Sequence, residues 1–529
     1  MKYLIAPALA LFTACQFASA ADQPQWGQAW SRNMVSAETN LPDTFDPNTG
    51  ANVKWVVPLG TQTYSTPIVA DGRVYIGTNN EQPRDPNHTA DSGVLLCLDE
   101  KTGRLLWQLV VPKREADDYF DWPKTGMPAP VTVEGNRVYT VSNRGEVLCL
   151  DASGMANGND GPYQDEAAHM MPLTTNTPAA TPPPVGPQDA DILWLFNLTS
   201  GAGIWSHDGA HSSILILGDY LYVNTSTGVD RTHKVIRTPD APSLVAIDKR
   251  TGKYVARDDE HIAPNIFHNT WCSPSLGQVN GRTMIFFGAG NGILYAFEPY
   301  SPTDSSAPSA AATTATPDPT RPPGLRALKK IWQLTFDTTG PTGDPHPYLS
   351  NRKESPSNLY GMPVLDHGRL YIAGGGDIWW GKNHAWLKCI DPAAGTGDIT
   401  TNGVLWTYPL ERHVLGTTAV YDGMVFLADC GRKMHCVDAV TGKPFWTQEI
   451  KGEVWGSPMV ADGKVYLGTR EGEYWIFAAA REKQVLSQVK LSGPINATTT
   501  VANETLFIAT MNKMYAVRKG EVRPAPLTP

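Results

Sequence analysis

Long apolar runs are missing from almost all of this 529-residue chain: after residue 20 no stretch could span a bilayer, so no transmembrane segment is expected. A basic stripe is missing too. Charged residues make up 18% of the sequence and the net charge is −9, which argues against a nucleic-acid partner. Cysteine is scarce, at seven residues, and no two are adjacent. One apolar run does occur, at the start. Lys2, the run 4–12 and Ala18-Ser-Ala20 read as an export signal with its cleavage site, so the mature chain begins near Ala21 and is periplasmic or extracellular. The alternative is an outer-membrane lipoprotein processed at Cys15, since Leu11-Phe-Thr-Ala-Cys15 resembles a lipobox, with Phe12 a poor fit.

What the chain has in abundance is a repeated phrase. Asp99-Glu-Lys-Thr-Gly-Arg-Leu-Leu-Trp107 returns as Asp438-Ala-Val-Thr-Gly-Lys-Pro-Phe-Trp446 and, shortened, as Asp248-Lys-Arg-Thr-Gly-Lys253. Each copy follows an apolar run ending in Leu-Asp, Val-Asp or Ile-Asp, itself preceded by a segment such as Thr66-Pro-Ile-Val-Ala-Asp-Gly-Arg-Val-Tyr-Ile-Gly77. Short alternating strands and Gly-bearing turns recurring every roughly 40 residues are the mark of a β-propeller. Inner strands beginning near Thr66, Ala129, Ser213, Ser273, Met362, Thr417, Ser457 and Thr498 give eight four-stranded antiparallel blades. The last repeat stops after three strands, and a stray strand, 53–59, precedes the first. The expectation is an all-β eight-bladed propeller spanning 21–529, its ring closed by that N-terminal strand, because closure removes two exposed edges.

Four of the cysteines, Cys97, Cys149, Cys389 and Cys436, occupy one repeat position, where Ala246 and Ala296 stand elsewhere. Equivalent positions on different blades face different neighbours, so these side chains act as small buried hydrophobes. With Cys430 in a turn and Cys272 at the head of an inner strand, all six mature cysteines are expected to be unpaired thiols.

The unit Ser-x-Pro…Gly-x-Val-Tyr…Leu-Asp-x-x-Thr-Gly-x-x-x-Trp resembles the repeat of the PQQ-type propellers, which include quinoprotein alcohol dehydrogenases and BamB-type envelope proteins. The resemblance implies a tryptophan-docking motif, carried here by Trp107, Trp194, Trp332, Trp406 and Trp446, with Trp55 for the closing blade. Ala256 and Ser487 replace the tryptophan in blades three and seven.

Strand alternation sorts the connections between two faces. Insertions 152–190 and 299–328, rich in Pro, Thr and Ala, fall on one face and read as mobile decoration. The other face receives 79–92, 112–127, 197–211, 226–241, 257–271, 337–360 and 374–386. It carries nine of the twelve histidines, among them His207, His211, His233, His268 and His413, together with Asp208 and Trp122, Trp379, Trp380 and Trp386. Loops elaborated on one side of a rigid scaffold are where function concentrates. The residues just before the inner strands read Tyr64, Met127, His211, Trp271, Tyr360, Leu415, Trp455 and Asn496, and should encircle the channel mouth. Tyr64, His211, Trp271, Tyr360, His413 and Trp455 are therefore the candidate ligand-binding residues, able either to stack on a flat ligand or to pack on one another.

For a quinoprotein the resemblance implies PQQ at this mouth, a vicinal Cys-Cys disulfide above it, and calcium held by Glu, Asn and Asp. The Cys-Cys pair is absent. Glu354, Asn358, Asp377 and Asn383 lie on the right face, but no spacing singles them out as calcium ligands. His207-Asp-Gly-Ala-His211 sits on a loop and reads as hydrogen-bonded polar residues in preference to a metal pair. The first reading is thus a monomeric cell-envelope binding or scaffold module that takes a protein or a small planar ligand at the channel face. A quinoprotein-type oxidoreductase using PQQ and calcium, and a carbohydrate-binding module, are the alternatives; whether the chain is an enzyme stays open.

Overall fold

The computed structural model describes residues 21–114, 120, 122–172, 181–209, 211–303 and 318–523. The proposed signal and Cys15 lie outside these, as do 173–180 and 304–317 of the two Pro-rich insertions. Eight antiparallel sheets form the ring: five of four strands, and three carrying one extra short strand. Blade 1 shows the plan, running outward through Ile68–Ala70, Arg73–Asn79, Ser92–Asp99 and Leu105–Pro112. The ring closes as the sequence requires. Ala51–Pro58 pairs antiparallel with Lys513–Val522, placing Trp55 opposite Ala516, so the first strand of the chain is the outer strand of blade 8.

The repeated phrase has a local explanation. Asp99 Oδ1 accepts from the Thr102 amide at 2.8 Å and its hydroxyl at 2.6 Å, and Gly103 N–H donates back to the Asp99 carbonyl at 2.8 Å. Gly103 has φ +72°, and a Cβ there would lie 2.9 Å from the Trp55 ring, so the turn and the ring contact both demand glycine. Trp55 then donates its indole N–H to the Glu100 carbonyl at 3.0 Å. Trp107, Trp194, Trp332, Trp406 and Trp446 repeat that bond onto the next blade at 2.9–3.2 Å. The tryptophans are blade-to-blade clamps. Where blade 7 has Ser487, Leu41 and Phe45 from the N-terminal segment are buried instead, Phe45 edge-on to Tyr474 at 5.6 Å. All six cysteines among the described residues are buried and free.

Around the channel, small residues heading the inner strands stitch neighbouring blades. Ser213 N–H donates to Ser273 Oγ, Met362 to Thr417, Thr417 to Ser457, Ser457 to Thr498 and Thr498 to Thr66, at 2.8–3.3 Å. Residues 22–36 cross the channel beneath this ring, with isolated bridges Gln23–Val69 and Val35–Val460. Arg32, wholly buried, fixes them by donating to the carbonyls of Trp26, Ser213, Ile214 and Pro274 and to Ser213 Oγ at 2.9–3.2 Å. Burial lowers its pKa to about 9.

The insertions depart from the decoration expected of them. Residues 154–172 carry a 3-10 turn, Gly154–Asn157, and one turn of α-helix, Glu166–His169, and reach the face bearing the functional loops. Arg144 donates to the carbonyls of His169 and Met171 at 2.9 and 2.8 Å, and buried His169 pairs with Glu146 at 2.9 Å. Polar anchors hold this segment, which a reading based on apolar surface alone misses. Beyond residue 317, Leu325 and Leu328 are buried and Arg326–Ala327 adds a parallel strand beside Tyr254–Arg257.

Candidate ligand site at the channel mouth

Seven of the eight positions expected to ring the mouth do so: Tyr64, His211, Trp271, Tyr360, Leu415, Trp455 and Asn496 line one cavity of about 410 Å³. Met127 does not; its neighbours Thr125 and Pro128 take its place. His413 is also elsewhere. It lines a separate polar pocket with Arg352, Arg412 and Arg432, because it lies two residues outside the ring position held by Leu415.

The rings form a nearly continuous belt. Trp455 stacks on Tyr64 at 6.2 Å and 27°, Tyr64 meets His211 edge-on at 6.4 Å, and His211 lies 4.3 Å from Trp271. Trp271 contacts Tyr360 at 5.6 Å, and Trp379 stands perpendicular to both Trp271 and Trp455 at 5.7 and 5.8 Å. The belt packs on itself and still encloses space. Its floor is Trp26 from the channel-crossing segment, whose indole N–H donates to Thr498 Oγ1 at 3.1 Å. No repeat pattern marks that segment, so the sequence reading has no signal for it.

One wall is a buried polar network. Asp377 Oδ2 accepts from Tyr360 Oη and pairs with His268 Nδ1 at 2.9 Å, while its Oδ1 accepts the Trp379 and Trp380 amides at 2.9 and 2.6 Å. The same carboxylate thus orients the wall and the loop carrying both tryptophans. Burial works against its charge, yet the His268 cation and these bonds hold Asp377 down to about 2. Burial likewise opposes the His268 cation, and the Asp377 carboxylate overcomes it, so the His268 pKa is raised. His268 Nε2 faces His207 Nε2 at 3.0 Å, and His207 Nδ1 bonds the Val229 carbonyl at 2.7 Å. His207 sits tight against Gly228, where a Cβ would come within 2.6 Å of its own. Burial pushes His211 and His233 down to about 4, and pushes Asp208 up to about 6.

The sequence points to the face that carries His207, His233, His268, Asp208 and Asp377. It does not reveal that they converge, because they come from four separate loops.

A family model described as outer membrane protein assembly factor BamB matches residues 90–298 and 383–523, about two thirds of the chain. The chain belongs to this family. BamB from Moraxella catarrhalis superposes with a TM-score of 0.50 at 12% identity, covering 89% of this chain and 98% of that one, a likeness of fold. Quinohemoprotein alcohol dehydrogenase from Comamonas testosteroni aligns at TM-score 0.42 and 14% identity, over 97% of this chain and 83% of its own. Among curated proteins none matches.

The mouth does not fit PQQ with calcium. PQQ carries three carboxylates, and among the described residues lining the cavity there is no lysine or arginine; His268 is already paired with Asp377, and Arg470 lies over the Trp455 ring at 3.9 Å without lining the cavity. Of the four oxygen-bearing calcium candidates, Asp377 is occupied as described, Asn358 is buried with its Oδ1 unpartnered, Asn383 accepts from Arg412 at 2.8 Å, and Glu354 is exposed. Calcium needs several converging oxygens, and the buried carboxylate of this set already meets four partners.

Proposed function

We propose that this protein is an exported binding module whose ligand is a neutral, polar, flat-faced small molecule of the sugar-ring type, taken at the channel mouth. The observation that carries the reading is the mixture of apolar faces with unmet hydrogen bonds. Tyr64, Trp271, Trp379 and Trp455 offer ring faces, while the buried Trp271 and Trp455 Nε1 donors, Asp208 Oδ1 and Asn496 Oδ1 have no protein partner. A buried polar atom left unpaired costs about 1–3 kcal/mol, so a ligand bringing both donors and acceptors gains there what solvent-facing groups would not. Sugar rings combine hydroxyls at their edges with C–H faces that rest on aromatic rings.

Export is supported by the Lys2, 4–12 and Ala18-Ser-Ala20 pattern. A second reading has one observation behind it: Trp122, 43% exposed, sits at the cavity rim of a chain whose family is described as an assembly factor. A protein partner could insert a neutral polar loop into the same mouth.

Calorimetric titration of the mature chain with a panel of neutral mono- and oligosaccharides tests the first reading, beside the Trp271→Ala/Trp455→Ala double variant. Saturable binding lost in the double variant supports it. Binding that survives loss of both tryptophans places the site elsewhere.

A further inference from the structure

The cavity wall also holds three histidines whose remaining ring nitrogens converge. His207, His233 and His268 each offer one nitrogen, all within 4.8 Å of one another, and all three residues are buried. Each ring is fixed from behind. His207 Nδ1 bonds the Val229 carbonyl, His268 Nδ1 bonds Asp377, and the His233 ring bonds the Arg231 carbonyl. Such backing by a carbonyl or carboxylate fixes the tautomer and aims the opposite nitrogen, as it does for ligating histidines. With Nδ1 of both His207 and His268 so engaged, two Nε2 atoms face each other at 3.0 Å. Two imidazole nitrogens that close hold a positive centre between them, either the Nε2 proton of the His268 cation or a metal ion in its place.

Two further features favour the metal. Nitrogens bound to one tetrahedral zinc at about 2.0–2.1 Å lie roughly 3.3 Å apart, close to the 3.0 Å between His207 and His268, and the His233 nitrogen lies within 4.8 Å of both. Asp208 flanks the cluster, its Oδ2 3.6 Å from His207 Nε2, and its shielded Oδ1 has no protein partner. Asp208 lies beside the three converging nitrogens and outside their group, so the fourth position of the ion faces the cavity.

The geometry points to a divalent-metal site of the zinc class formed by His207, His233 and His268 in the wall of the mouth cavity, with Asp208 beside it. Imidazole donors suit borderline first-row ions, and zinc accepts three of them with an open fourth position. His233, His268 and Asp208 also line the cavity, so the ion would stand at its wall next to the bound ligand. Asp377, which holds His268 from behind, is a positioning residue.

The test uses the full mature chain dialysed against a chelator and needs no saccharide. Zinc is titrated calorimetrically, and cobalt is added separately to read its visible absorption as a report on coordination. One zinc per chain and a tetrahedral cobalt spectrum are expected. His207→Ala and the cavity-edge His233→Gln should each weaken zinc at least about 100-fold, and Asp377→Asn about 10–100-fold. His367→Ala, on an exposed hairpin of the opposite face, should match the parent. Metal-free melting curves of the variants show that the ring is intact when binding is lost. Failure of the parent to bind zinc at micromolar concentration overturns the site. So does zinc binding that persists in a His207→Ala/His233→Gln double variant.

Discussion

Trp446→Ala separates scaffold from site. Trp446 is 7% exposed, lies 5.8 Å from Phe477 and 6.1 Å from Phe426, and donates to the Ala480 carbonyl at 2.9 Å across the blade 6–blade 7 junction. Truncating a buried tryptophan costs about 3–5 kcal/mol through lost transfer energy and the cavity left behind. The stranded Ala480 carbonyl adds to the loss, on the order of 1 kcal/mol. Trp379 is half-buried on an insertion loop, and its ring contacts border an existing cavity. Trp379→Ala should therefore cost about 1 kcal/mol, within the range of ordinary single substitutions. Urea titrations followed by far-ultraviolet circular dichroism should show a large midpoint shift for Trp446→Ala and a small one for Trp379→Ala, at similar slope. Ligand binding should show the opposite order. Equal losses of stability would refute the assignment of Trp446 as a blade clamp.

Two more predictions follow from the ring itself. Deleting 21–60 removes the closing strand, the Arg32 anchor and the Trp26 floor together, so the truncated chain should expose an edge and aggregate; an unchanged melting temperature would contradict ring closure. Alkylation of unreduced, denatured mature protein should modify six cysteines by mass spectrometry, and any pair protected as a disulfide would contradict the buried-thiol assignment.

Blade count, closure, thiols and the ring of mouth residues were legible because each recurs once per repeat, and repetition turns a weak local pattern into a strong one. The phrase ending in Trp446 says where a clamp must be because the same turn, cap and glycine return at Trp107. The functional wall has no such redundancy. His207, His233, His268 and Asp377 each occur once, in loops whose mutual distances only the closed ring sets, and His207 pairs with His268 while the nearer His211 points elsewhere. Residues 22–36 were silent for a different reason: they belong to no repeat, and Arg32 buries its charge against carbonyls, where a sequence reading expects a surface cation. The anchors of the first insertion, Arg144 and Glu146, are polar and lie at another turn and the strand after it, where apolar patterning carries no signal.

On the proposed reading, the mouth is built for a neutral polar ligand and against an anionic quinone. Intrinsic tryptophan fluorescence measures it directly, since Trp26, Trp271, Trp379 and Trp455 line the cavity. Parallel titrations with neutral oligosaccharides and with PQQ plus calcium should give a saturable change for at least one saccharide and none attributable to stoichiometric PQQ binding. Stoichiometric uptake of PQQ, with its absorption band retained after gel filtration, would contradict the account.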